Sequence, residues 1–275
     1  MFKKTIFSIL IQCFLLSFYS NASIDTFFDQ YKYAYENKNP FPLISTQQSS
    51  FNLNMAYKLQ KKWSTYLEES NKKLGYKAAL TSITDQKKHN INSPISGTII
   101  DELTYQNFDI IPLSTFNNPL LEIELGFYLS TDITQPLSST AILKNYIKKI
   151  VCVVELPDVN LEQTSKANII DLVGINSASK SIIMGEEISK RTANTPFEIT
   201  VKFDNKNIDT ITIDNLLESQ LDTLLWLVNH IVTIEGIVKK DNILLTGALN
   251  TINNIKKGRY VINYGHTTSI VFKTI

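Results

Sequence analysis

The chain has 275 residues and a formal net charge of +1, with its charges scattered along its length. That balance excludes the basic stripe that nucleic acid or an anionic membrane surface would demand. A chain this long can also bury an adequate core without disulfide staples.

The N-terminus reads Met1, Phe2, Lys3, Lys4, runs apolar from Thr5 through Tyr19 and ends on Ser20-Asn21-Ala22. A positive start, a short apolar stretch and small closing residues describe a secretory signal over residues 1–22, with Ser23 as the new N-terminus. The plainer alternative is a buried helix of the mature fold. Cys13 follows Gln12 rather than a small residue, so lipidation is not expected. Removing Lys3 and Lys4 takes the net charge from +1 to −1 and leaves Cys152 without a disulfide partner. Inside Ile150-Val151-Cys152-Val153-Val154 this thiol reads as a small buried hydrophobe. No later stretch approaches the length of a transmembrane helix, so no stable membrane anchor is expected.

Residues 23–92 read as a helical N-terminal part. From Asn54 to Leu74, apolar Met55, Tyr57, Leu59, Trp63, Tyr66 and Leu67 fall on one side of a helix. Residues 93–275 read as a β-rich body, with runs at Gly97–Ile100, Leu121–Leu129, Ile150–Leu156 and Phe197–Phe203. One strong helix interrupts them, Leu216 to Val232, before further strands at Ile243–Thr246, Tyr260–Tyr264 and Ser269–Phe272. The pattern is that of an α+β protein forming one functional unit.

The segment Leu121-Glu122-Ile123-Glu124-Leu125 is the most informative. On a strand, Glu122 and Glu124 share one face while their apolar neighbours take the other. The apolar run Ile150 to Leu156 carries a single carboxylate near its end, Glu155. Uncompensated buried charges are costly, so such groups share a cation or stay at the surface. Oxygen-only donors suit a hard ion, Mg²⁺ or Mn²⁺. An exposed strand face carrying Glu-x-Glu is the bland alternative. His89, His230 and His266 have no zinc spacing, and the chain has neither a nucleophile elbow nor a phosphate-cradling glycine loop.

Five segments in order carry a resemblance. They are Gly75-Tyr76-Lys77-Ala78-Ala79-Leu80-Thr81-Ser82; Pro94-Ile95-Ser96-Gly97 with Pro119 through Leu129; Val154-Glu155-Leu156-Pro157-Asp158; Asp171 through Ser179; and Leu245-Thr246-Gly247-Ala248. Together they resemble the 2-keto-4-pentenoate hydratases of the fumarylacetoacetate-hydrolase-like superfamily, from roughly Asn54 to the C-terminus. The resemblance implies a mixed β-roll or barrel body with Glu122, Glu124 and Glu155 as ligands of Mg²⁺ or Mn²⁺. It implies Lys77 as the active-site lysine, and substrate contacts from Asn176, Ser177, Ser179 and Thr246. The activity it implies is a metal-dependent hydro-lyase acting on a small unsaturated 2-oxo acid such as 2-oxopent-4-enoate. A related 2-oxo-acid decarboxylase and a non-catalytic exported binding protein are the alternatives, and a homo-oligomer stays open. The chain departs from the family pattern at Ala79, at Ile95, at Leu120-Leu121 and at Gly174-Ile175.

Overall fold

The computed structural model describes residues 23–275, so the expected signal segment and Cys13 lie outside the described residues. The helices are α1 over residues 23–36, α2 (Ile44–Gln47), α3 (Leu53–Glu68), α4 (Ile83–Lys88), α5 (Thr140–Tyr146), α6 (Ile169–Gly174), α7 (Lys190–Ala193) and α8 (Glu218–Glu235). The strands are β1 (Lys73–Ala79), β2 (Ile95–Ile100), β3 (Leu103–Gln106), β4 (Ile110–Ile111), β5 (Leu121–Leu129), β6 (Ile147–Leu156) and β7 (Ser181–Ile188). They continue with β8 (Phe197–Phe203), β9 (Lys206–Ile213), β10 (Ile243–Leu245), β11 (Asn250–Ile252), β12 (Gly258–Tyr264) and β13 (Thr268–Thr274).

Among the described residues these strands form two sheets. The larger has eight strands, in the order β2-β1-β10-β5-β6-β7-β3, with β11 also pairing with β5. The smaller runs β4-β13-β12-β8-β9. One face of β5, carrying Leu121, Ile123, Leu125 and Phe127, packs in the main core with Ile199 and Val201 of β8 and Ile262 of β12. Helix α8 joins that core through Leu221, Leu224, Leu227 and Val228. A second core gathers Phe27 and Tyr31 of α1 and Leu59 and Trp63 of α3 around Ile95 of β2 and Val173 of α6. The expected α+β mixture is therefore what the chain builds.

Local chemistry explains the helix starts. Asn52 caps α3 by accepting from the Met55 N–H, and Asn168 with Asp171 forms a full capping box on α6. The helix of the N-terminal part ends at Glu68, short of the expected Leu74. The segment after it is strand: Lys73–Ala79 runs parallel to β10 and antiparallel to β2 inside the large sheet. Residues first read as part of a helical region thus belong to the sheet. A strand buried by neighbours on both sides shows no period-2 alternation to betray it. Cys152 is buried in the main core, and burial pushes its thiol far above the ordinary range, consistent with a packing role.

Candidate metal centre and active site

Glu122 and Glu124 stand two residues apart on β5, and their antiparallel partners on β6 are Glu155 and Val153. Residues paired across a sheet, and residues two apart on a strand, share a face. The three carboxylates therefore converge on one face, opposite the main core. One oxygen from each lies within 4.8 Å of the others. Glu124 and Glu155 are completely buried, whereas Glu122 is partly exposed.

Lys77 on β1 reaches the same point. Its Nζ lies 2.6 Å from Glu155 Oε1, and the pair is all but sealed from solvent. Strands β10 and β5 stand between β1 and β6, a separation of roughly 14 Å in a flat sheet at the usual strand spacing. The contact exists because the sheet curls, bringing β1 over β6 across a concave face. Ile99, Val151, Val153, Ile182, Ile243 and Leu245 form an apolar cluster that packs among these strands. Gly97, opposite Lys77 on β2, leaves room for the lysine. A Cβ there would lie 2.6 Å from the Asn176 carbonyl oxygen and 3.3 Å from Lys77 Cγ.

The electrostatics follow from burial. Burial alone would lower the pKa of Lys77, but Glu155, Glu122 and Glu124 more than reverse that, so the side chain is a firm ammonium. Burial, followed by the charge of Glu155, pushes Glu124 well above the usual carboxylate range despite the opposing pull of Lys77. Glu155 is raised to about 7, by burial first, with Lys77 pulling it down and Glu122 pushing it up.

The donor set fits a divalent cation. Glu124 Oε1 and Glu155 Oε2 are buried without a hydrogen-bond partner among the described residues, and orphaned carboxylate oxygens are expensive. Sharing a proton between the two acids, or sharing a cation, relieves that cost. Three oxygen donors from three glutamates match the preference of Mg²⁺ or Mn²⁺.

The remaining expected residues are engaged differently. Asn176, Ser177 and Ala178 all hold left-handed backbone, with φ of 60°, 52° and 57°, a conformation that costs roughly 1–2 kcal/mol per non-glycine residue. The Asn176 amide offsets this by accepting from the Thr98 N–H and donating to the Thr98 carbonyl, both at 2.7 Å. Ser177 Oγ donates to the Ser96 carbonyl at 2.7 Å. These two side chains therefore staple their turn to β2, beside Lys77. Ser179 is partly buried and its N–H donates to the Asn176 carbonyl. Thr246 Oγ1 donates to Gln220 Oε1 at 2.8 Å.

Gly247 belongs to a segment that carries the resemblance, whereas Thr251, Gln60 and Gln220 lay beyond the sequence reading. The Gly247 N–H donates to Glu124 Oε2 at 3.1 Å, and Thr251 Oγ1 sits 3.4 Å from Glu122 Oε1. Gln60 is buried on α3 and donates to the carbonyls of Ser96 and Val173, tying β2 to α6. Gln220 lines up with Leu224, Leu227 and Ile231 along α8. A polar residue in an apolar stripe was the signal available for it.

No family model matches the chain. By sequence it is similar to 2-oxo-hept-4-ene-1,7-dioate hydratase of Escherichia coli, 22% identical over 241 residues, covering 82% of this chain and 88% of that one. It is also similar to 2-keto-4-pentenoate hydratase of Paraburkholderia xenovorans strain LB400, 22% identical over 187 residues, covering 67% and 69%. By structure it matches 4-oxalocrotonate decarboxylase from Pseudomonas putida G7, complexed with magnesium and adipate. The TM-score is 0.84 at 17% identity, covering 93% of this chain and 98% of that one. Fumarylpyruvate hydrolase from Pseudomonas aeruginosa, in complex with Mn²⁺ and pyruvate, matches with a TM-score of 0.52 at 10% identity, covering 73% and 88%. The chain is thus a distant relative of the 2-keto-4-pentenoate hydratases, built on the fumarylacetoacetate-hydrolase-like fold.

Proposed function

We propose that this chain is an exported, divalent-metal-dependent hydratase acting on a small unsaturated 2-oxo acid, with 2-oxopent-4-enoate as the representative substrate. The observation that carries the reading is the convergence of Glu122, Glu124 and Glu155 beside the buried Lys77 ammonium. The relatives named hydratases add support. Glu122, Glu124 and Glu155 would hold Mg²⁺ or Mn²⁺, which when bound supplies Lewis-acid polarisation of the substrate's 2-oxygen.

The chain's own groups do the rest. Lys77, protonated and fixed on Glu155, offsets negative charge that builds on the substrate and offers a proton to the dienol carbon skeleton. Protonation of the dienol at its terminal carbon, with loss of the 2-hydroxyl proton, yields a conjugated ketone. Water then adds across its carbon–carbon double bond, hydroxyl to the carbon distal to the ketone and hydrogen to the nearer one. Val153 beside Glu124, Ile182 beside Glu155 and Leu245 beside Lys77 pack around the two buried carboxylates and the lysine, and the low local dielectric strengthens the charge interactions among them. The turn of Asn176 and Ser177, with Ser179 next to it and Thr246 directly after β10, supplies the candidate polar contacts.

A related decarboxylase remains the second reading, favoured by the TM-score of 0.84 to 4-oxalocrotonate decarboxylase. Ile95, one of the departures from the family pattern, is buried in β2 and packs in the second core, so it offers no group to place water. An assay following dienol absorbance with added Mg²⁺, with products identified by mass, separates the two. Gain of one water supports the hydratase; loss of carbon dioxide from a dicarboxylic analogue replaces it with the decarboxylase. Metal-bound ligand without turnover leaves a binding protein.

Export rests on Lys3-Lys4, the apolar run and Ser20-Asn21-Ala22. Intact-mass measurement on protein recovered outside the cytosol should place Ser23, or a neighbour, at the N-terminus. Full-length chain found in the cytosol alone would defeat this part of the proposal.

A further inference from the structure

We propose that Gln220 is a positioning residue that sets the free oxygen of Glu124 through Thr246 and Gly247. The inference rests on the metal reading above and assigns a function to a residue outside the carboxylate cluster.

Gln220 lies in the first turn of α8 and is buried, as is Thr246, which directly follows β10. The hydroxyl of Thr246 donates to Gln220 Oε1 at 2.8 Å, so α8 holds the end of β10 from the side. The next residue, Gly247, has φ of 87° and turns its N–H onto Glu124 Oε2 at 3.1 Å. That conformation favours glycine, and a Cβ at this position would strike Thr81 Cγ2 at 2.6 Å. Tyr264 fixes the other end of the same residue, its hydroxyl donating to the main-chain oxygens of Glu124 and Val153. With one carboxylate oxygen held by Gly247, the other, Oε1, is left without a partner. Gln220 is therefore the far end of a three-step tether that decides which oxygen of Glu124 is presented and where.

Energetics separate this role from simple core satisfaction. Replacing both partners of a buried hydrogen bond with apolar groups of similar shape is nearly neutral for stability, whereas removing one is not. The double variant Gln220→Leu/Thr246→Val should therefore melt close to the wild type when metal-free. Loss of a partner that orients a metal ligand lowers metal affinity about 10- to 100-fold.

The experiment measures Mn²⁺ affinity by calorimetry on the full chain, together with amide exchange of Gly247 in the metal-free state. Gln220→Leu, Thr246→Val and the double variant should each lower Mn²⁺ affinity about tenfold. The double should fall no further than either single, because both cut the same tether. Exchange at Gly247 should quicken in all three. Unchanged Mn²⁺ affinity overturns the proposal, whether or not Gly247 exchange responds, because the tether would then be structural only. Should the wild type bind no Mn²⁺, the metal reading fails and this one with it; that case is recognised because Gly247 exchange still answers to Gln220.

Discussion

Glu124→Gln, Glu155→Gln and Glu122→Gln should each weaken Mn²⁺ binding, the buried pair by ~100-fold or more, beyond the cost of losing an orienting partner alone. The rise in melting temperature on adding Mn²⁺ should shrink in proportion, since a ligand stabilises only as far as it prefers the folded chain. The metal-free Glu122→Gln and Glu124→Gln proteins should hold their stability, because an amide carries no charge to repel its neighbours. Metal-free Glu155→Gln should instead melt earlier, because the buried Lys77 ammonium loses its 2.6 Å partner. The pH dependence adds a signature. Glu155 is raised from 4.5 to about 7 in the folded chain, so between these values the native state holds a proton that the unfolded chain has released. Metal-free stability should therefore fall as pH climbs through this window. Metal binding needs the carboxylates ionised, so Mn²⁺ affinity should climb over the same window. Melting curves with and without Mn²⁺ across that range test both trends. Equal Mn²⁺ affinity in all three variants would remove the metal assignment.

Lys77→Ala should lower hydratase turnover by ~100-fold or more, the scale of a positioned acid or base. The same change leaves Glu155 without its 2.6 Å partner in a site closed to water. Breaking such a buried pair costs about 3–5 kcal/mol, so the metal-free variant should melt earlier. Lys77→Met, which keeps the side-chain volume, controls for the cavity. Saturating Mn²⁺ should restore much of the stability of both variants, because the cation compensates the carboxylates, while turnover stays low. Wild-type turnover in a folded, Mn²⁺-loaded Lys77→Met protein would remove the lysine from the chemistry.

The carboxylate strand was legible because its signal is local. Alternation along Leu121–Leu125 put Glu122 and Glu124 on one face, and the isolated Glu155 in an apolar run pointed to the same oddity. Lys77 came only through the resemblance. Its strand, Lys73–Ala79, was read within a helical region because its partners are β2 and the distant β10, and no local periodicity reports a pairing so remote. Strand β7 (Ser181–Ile188) and strand β9 (Lys206–Ile213) were likewise passed over. Gln220 and Gln60 escaped because single polar residues in apolar stripes acquire meaning only once their partners are known. Asn176 and Ser177 were expected at the substrate. Their side chains also tie a turn of three left-handed residues to β2, an arrangement that nothing in Gly174-Ile175-Asn176-Ser177-Ala178 announces.

The insertion of β10 between β1 and β5 also governs the order in which the molecule can assemble. The β5–β6 hairpin with its three glutamates needs only neighbouring chain. Lys77 and its parallel partner Leu245, by contrast, stand about 170 positions apart, and contacts of such separation form slowly. The carboxylates are therefore gathered early, while the lysine that compensates them arrives only after nearly the whole chain is available. Until β10 takes its place between β1 and β5, the three glutamates share their face of the hairpin without Lys77 to compensate them. A divalent cation present at that stage would hasten closure, which makes refolding rate, measured with and without Mn²⁺, a record of when the centre comes together.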